Sequence, residues 1–85
     1  MVTILDRLRK IIADELGVEE EAVVPAASFA EDLNADAEDL AELLISVEDA
    51  FSTPQRKVVL SDAAMSEIIT VQDVIDLLHD YVPEE

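Results

Sequence analysis

Cysteine is absent from this chain of 85 residues, which excludes disulfides, thiolate nucleophiles and cysteine-based zinc sites. Redox chemistry therefore leaves the compartment unconstrained. Basic residues are almost as scarce: five lysines and arginines face 21 aspartates and glutamates, for a formal net charge of −16. A surface so negative repels a phosphate backbone, so nucleic acid is excluded as a partner and basic protein surfaces are the natural counterpart. No apolar run is long enough to span a bilayer, and Met1 to Leu16 alternates charges with apolar residues where a secretory signal needs an uninterrupted hydrophobic stretch. These absences predict a protein of the cytoplasm or an organelle matrix with no membrane contact, and a monomer is expected. Glycine occurs once and tryptophan not at all. At this length and 51% apolar content, residues 1–85 form one small domain whose stability depends on helix packing.

Within this apolar half, the periodicity is helical. Leu5, Leu8, Ile12 and Leu16 recur at three- and four-residue steps with Ile4 and Ile11 beside them, Thr3 placed to cap the start and Gly17 to end the helix. Val18 to Leu33 has no sustained period and contains Pro25, so it reads as a long ordered loop anchored by Val23, Val24, Phe29 and Leu33. A second helix is predicted from Ala37 to Phe51, with Asp36 as N-cap, Leu40, Leu43, Leu44, Val47 and Phe51 facing inward, and Pro54 closing the segment. A short turn is predicted over Asp62 to Glu67, capped by Ser61 or Asp62. The last helix starts at the cap Thr70 with Asp73 three residues on, and carries Val71, Val74, Ile75, Leu78 and Tyr81 until Pro83. No strand pattern competes, and the class is all-α.

Charge is unevenly placed on these helices. Residues 11 through 55 hold thirteen acids and no lysine or arginine. Asp36, Glu38, Asp39, Glu42, Glu48 and Asp49 fall outside the apolar stripe of the second helix and are expected to project to solvent or to a partner. Repulsion on this scale goes uncompensated by any nearby base, which favours a docking surface over a merely solvated face.

Four segments in order carry a resemblance: Leu8 to Gly17 (LRKIIADELG), Ala27 to Leu33 (ASFAEDL), Asp39 to Phe51, and Ile69 to Asp73 (ITVQD). Together they resemble the successive signatures of acyl carrier proteins over nearly the whole chain. The resemblance implies a four-helix bundle of three main helices and a short third one, with a long first loop. It also implies a site. In that family the second helix opens on Asp-Ser-Leu, and the serine oxygen carries 4′-phosphopantetheine, the arm that holds acyl groups as thioesters. A phosphate on that residue would sit near the positive end of the helix dipole. The corresponding residues here are Asp36-Ala37-Glu38. Ala37 has no oxygen to bear a phosphodiester, and Glu38 replaces the apolar residue that the family's motif presents to partner enzymes. No cofactor is therefore expected on this chain.

Other candidates are weaker. Ser28 lies in the first loop, Ser46 well inside the second helix and Ser61 at a cap; none follows an aspartate, so none is expected to take over the arm. Asp32, Asn34 and Asp36 sit at positions one, three and five of a calcium loop, but Ala37 stands where the turn glycine belongs and Leu43 where the bidentate glutamate belongs, so no specific metal site is expected. His79 near the end of the last helix is read as a partly exposed residue near helix-end carbonyls. Paired acids are abundant, but so small a bundle offers no depth for catalysis, and no enzyme activity is expected. Arg56 and Lys57, followed by Val58, Val59 and Leu60, occupy a connection that looks about one turn longer than the family's. Its apolar residues are expected to pack down, while the basic pair either reaches back to the acids or meets a partner.

Two function classes follow: a cofactor-free interaction module of lipid metabolism on the carrier fold, docking basic surfaces through the second helix, or an acyl carrier whose attachment serine has been exchanged for Ala37. An unmodifiable carrier could also act as an antagonist at carrier-docking sites.

Overall fold

The computed structural model describes residues 3–60 and 67–81. Among these, three α-helices pack around one core: α1 (Ile4–Leu16), α2 (Ala37–Phe51) and α3 (Val71–His79), with a single 3-10 turn at Glu20–Ala22 between the first two. The all-helical class holds. The short turn expected over Asp62 to Glu67, with its Ser61 cap, lies outside the described residues except for Glu67, which is exposed.

Each α-helix starts on the same device. Thr3, Asp36 and Thr70 accept from the backbone N–H three residues on, while Asp6, Asp39 and Asp73 reach back to the N–H of the capping residue. Two of the amide donors that a helix start leaves unpaired are thereby satisfied, worth about 1 kcal/mol for the cap alone. At the other end of α1, Gly17 adopts φ +67 and returns its N–H to the Ala13 carbonyl, a left-handed turn that a β-carbon would strain.

The core is fully apolar among the described residues. Leu8 and Ile12 of α1, Leu43, Leu44 and Val47 of α2, and Val71, Val74 and Leu78 of α3 meet at its centre. Each contributes about 1.5–3 kcal/mol by leaving water. Leu40 is only half-buried at the edge of the α2 stripe.

The long first loop is ordered by backbone pairing as well as by its anchors. Val23, Phe29 and Leu33 are buried as expected, but Val24 is 42% exposed and turns to solvent, because the Val24 carbonyl closes a tight turn with the Ala27 N–H and faces its side chain outward. The loop then ties itself to α3: the N–H groups of Val71 and Gln72 donate to the carbonyls of Ala27 and Pro25, at 3.0 and 2.9 Å, and Phe29 N–H donates to Ile69 O at 3.0 Å. The unpaired amides of the α3 first turn are satisfied by the loop. This strap places the start of α2 beside the start of α3.

The connection after α2 folds onto the body. Val58 and Leu60 are buried, as the packed-down reading expected, while Val59 stays 49% exposed. Arg56 and Thr53 form a tight turn through reciprocal backbone hydrogen bonds of 3.1 and 2.7 Å.

Candidate functional site

The site is the entrance to α2. Its approach is set by Asn34, which takes φ +56, a left-handed conformation that asparagine tolerates better than other residues with a β-carbon. Ala35 then buries its methyl and donates its N–H to the Phe29 carbonyl at 2.7 Å, so the chain enters Asp36 from a fixed direction. Asp36 accepts the Asp39 N–H at 2.8 Å, and Asp39 answers to the Asp36 N–H at 3.4 Å. Ala37 is the first helical residue and is exposed. A side chain at this position therefore stands on a rigid, capped helix end open to an incoming partner.

What stands there is a methyl group. Beside it lies a cleft of about 210 Å³ lined by Phe29, Ala35, Leu40, Ile68 and Ile69, with Ile69 itself 64% exposed. Ser28 also lines this cleft, and its hydroxyl oxygen accepts the Glu31 N–H at 3.2 Å within a loop turn also held by Asp32, which accepts the Ser28 N–H at 2.7 Å. Asp32 and Asp36, two of the calcium-loop positions, are each engaged in such local capping, and among the described residues no group of three acidic or histidine side chains is assembled to hold a metal. Ser46 donates to Glu15, joining α1 to α2 on another side of the molecule. The side chain at the first position of α2, that of Ala37, carries no oxygen.

The acidic residues divide. Asp36, Glu38, Asp39, Glu42 and Asp49 are exposed along α2, and Ile45 lies among them 53% exposed. Glu48 behaves differently: it is half-buried, and its carboxylate accepts the backbone N–H of Leu60. Glu48, expected with the others to project to solvent or to a partner, instead turns to its own chain, because the connection after α2 folds back to it at Leu60. The sequence offered no periodic signal for this contact, which depends on where a loop of irregular structure returns. Nor did it mark Arg7, whose guanidinium lies 4.0 Å from the centre of the Phe51 ring and donates to the Ala50 carbonyl at 2.8 Å. His79 is exposed on the last turn of α3.

Two carboxylates are held below the usual aspartate range. Asp6 is lowered chiefly by the backbone N–H of Thr3 and then by its hydroxyl, and Asp73 by the backbone N–H groups of Thr70 and Ile69, at 3.0 and 2.9 Å. Both perturbations belong to helix capping and neither lies at the α2 entrance.

A capped, acidic second helix, entered from a long loop strapped to α3, defines a small helical domain with an exposed helix entrance. Residues 6–78 match the family model described as "Phosphopantetheine attachment site". Over 79 residues the chain is 44% identical to the acyl carrier protein of Thermosynechococcus vestitus, covering 93% of this chain and 91% of that protein. The chain belongs to the acyl carrier protein family, whose members are carriers and not enzymes.

Proposed function

We propose that this protein is an acyl-carrier-fold docking module of lipid metabolism that works without a covalently attached cargo arm. The observation that carries this reading is Ala37: the exposed first residue of α2, which corresponds by resemblance to the attachment serine, presents a methyl group on an otherwise intact, doubly capped helix start. A phosphodiester needs an oxygen there, and no neighbouring serine occupies an equivalent position.

The docking face is formed by Asp36, Glu38, Asp39, Glu42 and Asp49 around Ile45. A negative strip of this kind speeds encounter with basic surfaces and fixes orientation, while the exposed isoleucine supplies a small apolar contact at its centre. Partners are enzymes or assembly proteins that present basic surfaces to acyl carriers, met by a monomeric chain in the cytoplasm or an organelle matrix. The absence of a tether leaves the cleft beside Ala37 with nothing to hold a chain in it.

Mass spectrometry tests the reading. The chain and an Ala37→Ser version are each coexpressed with a phosphopantetheinyl transferase, and the intact mass is measured. The unaltered chain is expected to stay unmodified; one added prosthetic group on it overturns the proposal. The preserved caps at Asp36 and Asp39 favour a scaffold that still accepts the arm once an oxygen is supplied, so Ala37→Ser is expected to gain the group. That result is shared with the second reading, an acyl carrier whose serine was exchanged, and the genomic codon at position 37 separates the two.

A further inference from the structure

Among the described residues the only ion pair is Arg9 with Asp6, at 4.0 Å. Arg56 and Lys57 therefore reach no acid of the described residues at ion-pairing distance. Both are exposed, Arg56 closing the tight turn held by the Thr53–Arg56 backbone pairing and by the Thr53 hydroxyl, which accepts the Arg56 N–H at 3.0 Å, and Lys57 following it. The turn is further fixed by Ser52, whose hydroxyl accepts the Val58 N–H at 3.0 Å. Arg7, Arg56, Gln55 and Tyr81 line a cleft of about 340 Å³ at this end of α2. Arg7 uses one nitrogen on the Ala50 carbonyl, and its exposed guanidinium carries further donors.

The charge on this molecule is thus ordered along one helix. Glu38, Asp39 and Glu42 lie in its first turns, Asp49 stands near its end, and Arg7 and Arg56 share a cleft just past it, with Lys57 the next residue along the chain. With about 1.5 Å of rise per residue, the 15 residues of α2 separate the two poles by roughly 20 Å. That is about two Debye lengths at 0.1 M salt, so a partner feels the poles as separate charges.

We propose that the turn at Arg56 and Lys57, with Arg7, is a second docking contact that takes carboxylates of the same protein partner whose basic surface meets α2. This rests on the docking reading of α2 and adds its orientation. A purely acidic strip accepts a basic surface in either direction along the helix axis. A strip with a basic terminus accepts only one, because the reversed pose sets like charges against each other at both poles. The occupant is a segment rich in aspartate or glutamate, carried by a protein that presents its lysines or arginines about 20 Å away.

Synthetic peptides test both poles by backbone amide NMR titration of the full chain at 50 mM salt. The probes are a four-lysine block, a four-glutamate block, and a bipolar peptide that joins the two through a glycine-serine spacer able to span the poles. The lysine block is expected to shift Glu38, Asp39, Glu42 and Asp49. The bipolar peptide is expected to bind at least threefold tighter than the lysine block, through the raised effective concentration of its second end, and to shift Gln55, Arg56 and Lys57 in addition. Arg56→Glu with Lys57→Glu is expected to remove that gain and leave the lysine block's affinity unchanged or higher. A bipolar peptide that binds no tighter than the lysine block, or a gain that survives the double reversal, overturns the proposal. If the lysine block leaves α2 unshifted, the docking reading itself fails; the glutamate block and the bipolar shifts at Arg56 and Lys57 still decide the basic contact separately.

Discussion

The carboxylate of Glu48 in the last turn of α2 accepts the backbone N–H of Leu60, twelve residues further on. Leu60 is buried, so its amide has little water to turn to, and one side chain of α2 holds the connection at that residue. Glu48→Ala leaves that amide unpaired. A cost of about 1–3 kcal/mol is expected in chemical denaturation, whereas Glu48→Gln keeps an acceptor and costs less. Amide hydrogen exchange at Leu60 checks the mechanism: it should accelerate strongly in the alanine variant and weakly in the glutamine variant.

Arg7 clamps α1 to the end of α2 by two contacts at once, the Phe51 ring and the Ala50 carbonyl. The Ala50 carbonyl is among those that a helix end leaves unpaired, and a planar guanidinium can serve it while stacking. Arg7→Ala is expected to destabilise by about 1–2 kcal/mol, and Arg7→Lys to recover less than half of that because a compact, strongly hydrated ammonium lacks the planar face and forked donors that serve ring and carbonyl together. Thermal unfolding of the two variants beside the unaltered chain measures both.

Asn34 holds φ +56 two residues ahead of the α2 cap. Glycine adopts this conformation freely, while alanine lacks the short polar side chain that eases it. Asn34→Gly should be close to neutral, and Asn34→Ala should destabilise by about 1 kcal/mol. Because the distortion falls at the site entrance, the Asp36 and Asp39 amide resonances should move in the alanine variant and stay in place in the glycine variant.

How far these features were legible in the sequence follows from how local they are. The three caps at Thr3, Asp36 and Thr70, the αL end at Gly17 and the helix limits at Ala37 and Phe51 depend on residues within four positions of each other, and all were readable. The contacts that were not readable join distant segments through the backbone. The strap from Ala27 and Pro25 to Val71 and Gln72 uses carbonyls, which every residue has. Val24 looked like an anchor because it is apolar, yet a tight turn decides its direction. Glu48 looked like its acidic neighbours until the folded connection claimed it. At the site, the sequence located the acids and Ala37, but the cleft formed with Ile68 and Ile69 required the loop strap to bring α3 alongside.

Acid should act on stability in two opposed ways. From neutral pH downward, protonation of surface carboxylates relieves the self-repulsion of a chain at −16, and the folded state gains. Asp6 and Asp73 oppose this further down. Their folded-state values lie below the ordinary 3.8, so the unfolded chain takes up their protons first. Their contribution is complete above about 3.8 and is lost as pH falls through the lower folded values. The melting temperature is expected to rise on mild acidification and to fall below pH 3.8. Asp73→Asn should melt lower at neutral pH and show a shallower decline in acid, because an uncharged acceptor at that cap has no charge to lose.

Salt tests the same repulsion without touching any proton. The charged body measures 34 × 30 × 18 Å, so many of its carboxylates lie within the Debye length of about 30 Å that applies at 0.01 M salt, and far fewer within the 10 Å that applies at 0.1 M. Raising sodium chloride across that range should stabilise the fold by about 1 kcal/mol, read as a rise of about 4–8 °C in melting temperature for a domain of this size. Magnesium should do at least as well as sodium at matched ionic strength, by diffuse association with the exposed acids of α2. Since the described residues assemble no metal-holding group, that gain should rise smoothly with concentration and show no saturation at stoichiometric metal. Glu42→Lys should melt higher than the unaltered chain at low salt and lose that advantage at high salt, because it replaces one repelling charge with an attracting one in the middle of the acidic helix. If the melting temperature is flat from 0.01 to 0.1 M salt in both proteins, repulsion does not limit stability, and the acid-induced rise must vanish with it.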